Sequence, residues 1–148
     1  MSHVHCRMFF HFVWSTWDRE PLLTDTIEQE AYALIHSACK QCRAEIHALG
    51  GIEDQVHLFV TVPPTVLVPD FMQLVKGMSS KALNDAHGSP TWSFKWQGGY
   101  GLDTVSHSHV ERVRAYIQNQ KQNHAEGTLW PNCELPPFFC PRRRAFAL

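Results

Sequence analysis

The order of elements legible in this chain predicts an α+β domain: a ferredoxin-like antiparallel sheet with helices packed on one face and a late helix that carries a tyrosine. Three observations predict it. Aromatic and β-branched runs at 5–15 (HCRMFFHFVWS) and 55–62 (QVHLFVTV) read as strands. Apolar residues recurring every three or four positions over 25–43 and 68–87 read as two amphipathic helices. The elements follow one another as β-α-β-β-α-β, the split βαβ series. A length of 148 residues suits one such domain.

Each element has its own local cause. The first strand ends at Ser15, and a loop containing Pro21 leads to the first helix. Ile27, Ala31, Leu34, Ile35, Ala38 and Cys42 share one face of that helix, with Thr24 or Asp25 as its cap. A weakly alternating strand at 45–49 runs into Gly50-Gly51, and the strand at 55–62 is stopped by Pro63-Pro64. The second helix turns Phe71, Leu74, Val75, Met78 and Leu83 inward and ends at Gly88. Short strands are expected at 92–96 and 100–105, and a third helix at 107–124 with Val110, Val113 and Ile117 on its apolar side. Residues 1–125 thus form the domain, and 126–148, with four prolines, form an extended tail of the same domain.

Composition narrows the setting. Hydrophobic residues make up 44% and charged residues 18%, so a packed core is expected and wholesale disorder is not. No apolar run approaches the roughly 20 residues of a membrane span, and Met1 to His5 lacks the layout of a signal peptide. A cytoplasmic protein without a membrane partner is the expectation. Five cysteines, an odd number, argue against a disulfide framework. Cys39 and Cys42 lie within a helical pattern and read as buried or free thiols rather than half of a zinc site. The net charge of −1 hides a polarity: residues 1–75 carry −5 and residues 76–148 carry +4. A polyanion would be drawn to the second half if the fold gathers those charges.

Three stretches carry chemistry when they are weighed together. In Asp54-Gln55-Val56-His57, strand periodicity turns Gln55 and His57 to one face, where both can aim at one cation; Asp54 points the other way. In Tyr116-Ile117-Gln118-Asn119-Gln120, helical spacing brings a phenol and an amide one turn apart. Lys76-Gly77-Met78-Ser79-Ser80 sets lysine, glycine and serine in mid-helix. Singly, each has a structural explanation: a satisfied core histidine, a packed tyrosine, a small-residue contact.

Together they resemble the small single-tyrosine transposases of short insertion sequences and their relatives associated with extragenic palindromes, whose hallmarks are His-hydrophobic-His on a central strand and Tyr-x-x-x-Gln on a late helix. The resemblance runs from Val13-Trp14-Ser15-Thr16 and Arg19, through 54–60, 74–80 and Trp96-Gln97-Gly98-Gly99-Tyr100, to 113–120. It departs from the family at Gln55, where a histidine is expected. The resemblance implies a single-stranded DNA transposase. Tyr116 would be the nucleophile forming a 5′-phosphotyrosine, and Gln55, His57 and Gln120 would hold a divalent Mg or Mn ion. It also implies hairpin DNA and a second copy of the chain, as a homodimer, for partners. Lys76, Lys81, Arg112, Arg114, Lys121 and the Arg142-Arg143-Arg144 run would bind phosphate. Trp92, Trp96 and Tyr100 are candidates to stack on unpaired bases. The substitution at Gln55 keeps a second reading open, a weakened relative that binds hairpin DNA without cutting it. A ferredoxin-like RNA-binding module is a third, supported by Phe59 but opposed by the near-neutral charge.

Overall fold

A computed structural model describes residues 3–135. The main elements are β1 (Phe9–Ser15), α1 (Asp25–Gln41), β2 (Glu45–Ile52), β3 (Gln55–Thr61), α2 (Val68–His87), β4 (Gly101–Val105), α3 (Val110–Gln118) and α4 (Gln120–Glu126). The strands form one antiparallel sheet in the order β2-β3-β1-β4, as the split βαβ series requires. The basic run 142–144 and most of the predicted tail lie outside the described residues.

Period-two alternation on β3 separates the two faces of the sheet. Val56, Leu58 and Val60 meet Phe12 and Trp14 of β1 in the main core, under Ile27, Ala31 and Ile35 of α1 and Phe71, Met72, Val75 and Leu83 of α2. The two long helices therefore cover one face, as predicted. Truncating a fully buried side chain of this layer such as Phe71 to alanine costs about 3–5 kcal/mol. Phe59 points the other way, into a smaller cluster with Ala48 of β2 and Val110, Val113, Tyr116 and Ile117 of α3. Because α3 lies on this second face, Gln55 and His57 are buried between sheet and helix rather than open to solvent.

Four expectations need correction. Residues 92–96 do not form a strand. Phe94 and Trp96 do turn into the core, but the backbone of Phe94 pairs with the side-chain amide of Asn84, at 2.6 and 2.7 Å, instead of with a ladder. The first strand begins only at Phe9. Gly50 and Gly51 do not end β2, which continues to Ile52. The glycine at 50 is required there by the close passage of α3: a Cβ would lie 2.3 Å from the Ile117 carbonyl oxygen. Finally, the third helix is broken at Asn119 (φ −103°, ψ 22°). The Tyr116 carbonyl, which a continuous helix would pair with the Gln120 backbone, instead accepts from the side chains of Asn123 (3.1 Å) and Gln120 (3.4 Å).

The Lys-Gly-x-Ser-Ser stretch fastens a loop to α2. Ser79 Oγ donates to the Val75 carbonyl and accepts from the Trp96 indole N–H at 2.9 Å. Lys76 Nζ donates to the carbonyls of Gln97 and Gly99 at 2.7 and 2.8 Å.

Candidate active site

The site is assembled where β3, β1, the α3–α4 break and the segment after α4 meet. His57 is fully buried on β3, and its Nδ1 lies 2.9 Å from Nε2 of His11 on β1, with the rings stacked. Gln55, two residues before it on the same face, places its amide nitrogen 2.8 Å from His57 Nε2. The orientation of that amide is fixed from outside. Asp18 and Arg19 take positive φ values of 54° and 55°, which turns the chain after β1 back towards β3. The Arg19 guanidinium then forks onto Asp54 at 3.1 and 3.3 Å and donates to Gln55 Oε1 at 3.0 Å. A guanidinium has no acceptor, so the oxygen of Gln55 must face Arg19 and its NH2 must face the site. His57 Nε2 accepts from that NH2. The ring proton then sits on Nδ1 and is donated to His11, which holds the imidazole in one tautomer. Burial, then the neighbouring His57, pushes His11 down to about 3 against a weaker pull from Glu134, so His11 is neutral and can accept.

Tyr116 enters from α3 and is 4% exposed. Its ring stands edge-on to His57 at 6.2 Å and stacks on Trp130 at 4.4 Å between centroids. The hydroxyl accepts from the Trp130 backbone N–H at 3.2 Å and donates to Glu134 Oε1 in a short hydrogen bond. Burial and the bond to Glu134 push the phenol up to about 12. Gln120, 1% exposed, follows at the start of α4, and its Oε1 has no hydrogen-bond partner. Gln55, His57 and Tyr116 thus all reach Glu134, and the Gln120 side chain lies against the Tyr116 carbonyl.

Glu134 completes the arrangement. Its Oε2 takes a 2.5 Å hydrogen bond from Gln55 and lies 3.4 Å from His57 Nε2, while Oε1 lies 3.7 Å from His124 Nε2. Burial opposes its ionisation, but the neighbouring His57 and the hydrogen bonds from Tyr116 and Gln55 outweigh that and hold the carboxyl at about 2. Among the described residues, His57, His124 and Glu134 form a group of potential metal ligands, with the ligand atoms all within 4.8 Å of one another. Burial pushes the Cys39 thiol up to about 12, which fits a core thiol.

Sequence reasoning did not single out His11, His124, Trp130 or Glu134. A signal existed for His124, one helical turn beyond Gln120. Nothing local marked Glu134: it follows the short turn Pro131–Cys133 and reaches the site only because the chain folds back over α3.

The expected phosphate-binding residues are mostly engaged. Arg112 stacks on Trp130 at 4.6 Å from the ring centre. Arg114 pairs with Glu111 and Lys81 with Asp85, both at the surface, where such pairs exchange readily for other anions. Lys121 bridges Glu28 and the Gly51 carbonyl, tying α4 to α1 and β2. A cleft of about 700 Å³ opens beside His11, between Asp103, His109, Arg112 and Trp130.

A ferredoxin-like sheet with a buried tyrosine, a strand histidine and amide, and a potential cation site is the arrangement that the resemblance to single-tyrosine transposases leads one to expect. The family described as "Transposase IS200 like" matches residues 4–120, and the chain belongs to that family. It is 24% identical over 115 residues to the ISDra2 transposase TnpA of Deinococcus radiodurans, covering 75% of this chain and 82% of that protein. It is 22% identical over 131 residues to the transposase of insertion sequence element IS200 of Salmonella typhimurium, covering 86% of each. Among solved structures, a Deinococcus radiodurans R1 protein described as a candidate transposase matches with a TM-score of 0.64 and 26% identity, over 81% of this chain and 96% of that one. A REP-associated tyrosine transposase bound to a REP hairpin shares the fold, with a TM-score of 0.61 and 17% identity over 88% and 81%. Membership makes DNA transposition the activity class and DNA the partner, and sets aside the RNA-binding alternative. Among the described residues no helix is long and apolar enough to cross a membrane.

Proposed function

We propose that this chain is a transposase that cuts and rejoins single-stranded DNA through Tyr116, with hairpin DNA as its recognition element. The observation that carries the reading is the convergence of the Tyr116 hydroxyl with His57 through Glu134, next to a cleft lined by their neighbours His11 and Trp130. The Tyr116 oxygen attacks a backbone phosphorus. The new bond is a 5′-phosphotyrosine, the bond to the 3′ oxygen breaks, and the phosphodiester energy is conserved for rejoining. The phenol proton leaves along the existing hydrogen bond to Glu134, and the departing 3′ oxygen takes a proton from water. Trp130 fixes the ring by stacking and by its N–H bond to the phenol oxygen.

A divalent cation, Mg or Mn, fits this corner. The orphaned buried Oε1 of Gln120 is an acceptor that a cation satisfies, and the lone pair of His57 Nε2 is a second once the cation displaces the Gln55 amide from it. Bound there, it supplies charge neutralisation at the scissile phosphate. Lys76, Lys81, Arg112, Arg114, Lys121 and Arg142 to Arg144 track the DNA backbone. The protein acts in the cytoplasm as a homodimer, paired through an edge of the sheet.

The test is a denaturing gel of labelled single-stranded DNA carrying the hairpins that flank the gene. With Mg²⁺ or Mn²⁺, wild type should form a covalent adduct that EDTA abolishes. A specific feature favours a second reading, a binder that no longer cuts: Gln55 stands where the family pattern has histidine, and the phenol is raised rather than activated. Under that reading wild type forms no adduct and Gln55→His recovers one.

A further inference from the structure

The site has one histidine fewer than the family pattern, and the side chain in its place turns its nitrogen, which has no free lone pair, towards the cavity. We propose that Glu134 and His124 make good the loss: the metal centre of this chain is His57, His124 and Glu134, and Gln55 positions Glu134 without touching the ion. The proposal deepens the transposase reading and rests on it for the centre's purpose.

Geometry supports the set. Ions such as Mn²⁺ or Zn²⁺ bind nitrogen and oxygen at about 2.0–2.2 Å, so neighbouring ligand atoms lie roughly 3 Å apart and opposed ones about 4 Å apart. His57 Nε2 and Glu134 Oε2 are 3.4 Å apart, His124 Nε2 and Glu134 Oε1 are 3.7 Å apart, and all three groups fall within 4.8 Å. Contraction of under about 1 Å closes the site. His124 Nε2 is buried, makes no hydrogen bond and faces Glu134 Oε1 at 3.7 Å, so a neutral His124 can present its lone pair to an ion there. The lone pair of His57 Nε2 is turned inward because the opposite nitrogen is committed to His11; it accepts from the Gln55 NH2 at 2.8 Å, and an ion takes the place of that one hydrogen bond.

Arg19 decides the role of Gln55. With Oε1 held by the guanidinium, the amide NH2 donates to Glu134 Oε2 and orients the carboxylate between the two imidazoles. Orientation of ligands by such outer groups is general in metal sites. The other carboxylate oxygen takes the Tyr116 hydroxyl, so a single residue connects the ion to the nucleophile. His124 and Glu134 both lie beyond residues 4–120, the stretch that the family model matches. Two imidazoles and one carboxylate favour Mn²⁺ over Mg²⁺, which prefers oxygen and retains water.

The experiment uses the full-length protein, with Mn²⁺ as the probe, read by titration calorimetry and pulsed EPR, which counts coordinated imidazoles. Wild type should bind one Mn²⁺ with two imidazoles and prefer it to Mg²⁺. Glu134→Gln should lose at least about tenfold in affinity and Glu134→Asp should recover part of it. His124→Ala should leave one imidazole. Gln55→Ala should weaken binding about tenfold yet keep both imidazoles, which separates positioning from ligation. Circular dichroism melts establish that each variant is folded; the imidazole count of Gln55→Ala and the affinity of Glu134→Asp test the set even if Glu134→Gln is not. Unchanged affinity in Glu134→Gln overturns the proposal. So does tighter binding with faster adduct formation, which would make Glu134 a plug. If wild type binds Mn²⁺ through these ligands but forms no DNA adduct, the metal centre stands and the transposase reading falls. If an adduct forms with Mn²⁺ while Glu134→Gln keeps its affinity, the reverse holds.

Discussion

Replacing Gly50 by alanine should move the nucleophile without touching it. Gly50 pairs with His57 across β2 and β3, and α3 passes directly over it. A Cβ at this position would lie 2.3 Å from the Ile117 carbonyl oxygen and 3.2 Å from its carbon. Carbon and oxygen approach to about 3.3 Å in ordinary contacts, so α3 must retreat by roughly 1 Å. The obstacle is helix backbone, which cannot rotate away as a side chain does. Tyr116 is the preceding residue, and a 1 Å misplacement of a reacting group can cost about 100-fold in rate. Overpacking costs about 1–3 kcal/mol, against roughly 0.5–1 kcal/mol recovered by removing a glycine from a strand. The net loss should lower Tm by several degrees. Gly77→Ala is the matched control: its Cβ meets nothing within 4 Å on α2, and it should stabilise by about 0.5–1 kcal/mol. The assays are the initial rate of adduct formation on single-stranded DNA and a thermal melt. A Gly50→Ala protein that melts within 1 °C of wild type and forms adduct within threefold of its rate would refute the reasoning.

Tyr116→Phe should abolish the covalent adduct on a denaturing gel while hairpin affinity by fluorescence anisotropy stays within about threefold, since in the proposed mechanism the hydroxyl is the nucleophile and not a main binding group; an adduct that persists assigns the chemistry to another residue. His11→Phe removes the acceptor that sets the His57 tautomer, and Mn²⁺ affinity by calorimetry should fall about 10- to 100-fold. Acid should destabilise the metal-free protein in two windows. His11 is depressed in the fold, so its contribution is present above pH 6.5 and is lost as pH falls towards about 3. Glu134 is also depressed, and its contribution is present above 4.5 and lost as pH falls through about 2. Urea midpoints measured across pH should fall in both windows, and His11→Phe should flatten the upper one. Under the proposed edge pairing the protein should sediment as a two-fold dimer at micromolar concentration, and a monomer there would count against it.

The sequence by itself determined the strand and helix order, both amphipathic helices, and the shared face of Gln55 and His57. Each follows from a period of two or of 3.6, which is local information. It also placed Tyr116 and Gln120 one turn apart, and their contact survives although the helix that joins them is broken at Asn119. The limits of local pattern are visible at particular residues. Gly50-Gly51 looks like the end of a strand because glycine commonly is; here it is the clearance for a helix that arrives 67 residues later. The aromatic run at 92–96 alternates like a strand, yet it makes only isolated bridges at Trp92 and Trp96, and at its centre Phe94 pairs with an asparagine side chain on α2. Gln55 looks like a weakened ligand until Arg19 fixes which end of its amide faces the cavity. Glu134 carries no local mark at all. Its contact with Tyr116 spans 18 positions and that with Gln55 spans 79, so its place depends on where the chain after α4 crosses α3. A hydrogen-bond direction or a carboxylate folded back from a tail depends on distances between remote segments, and only the tertiary structure decides those.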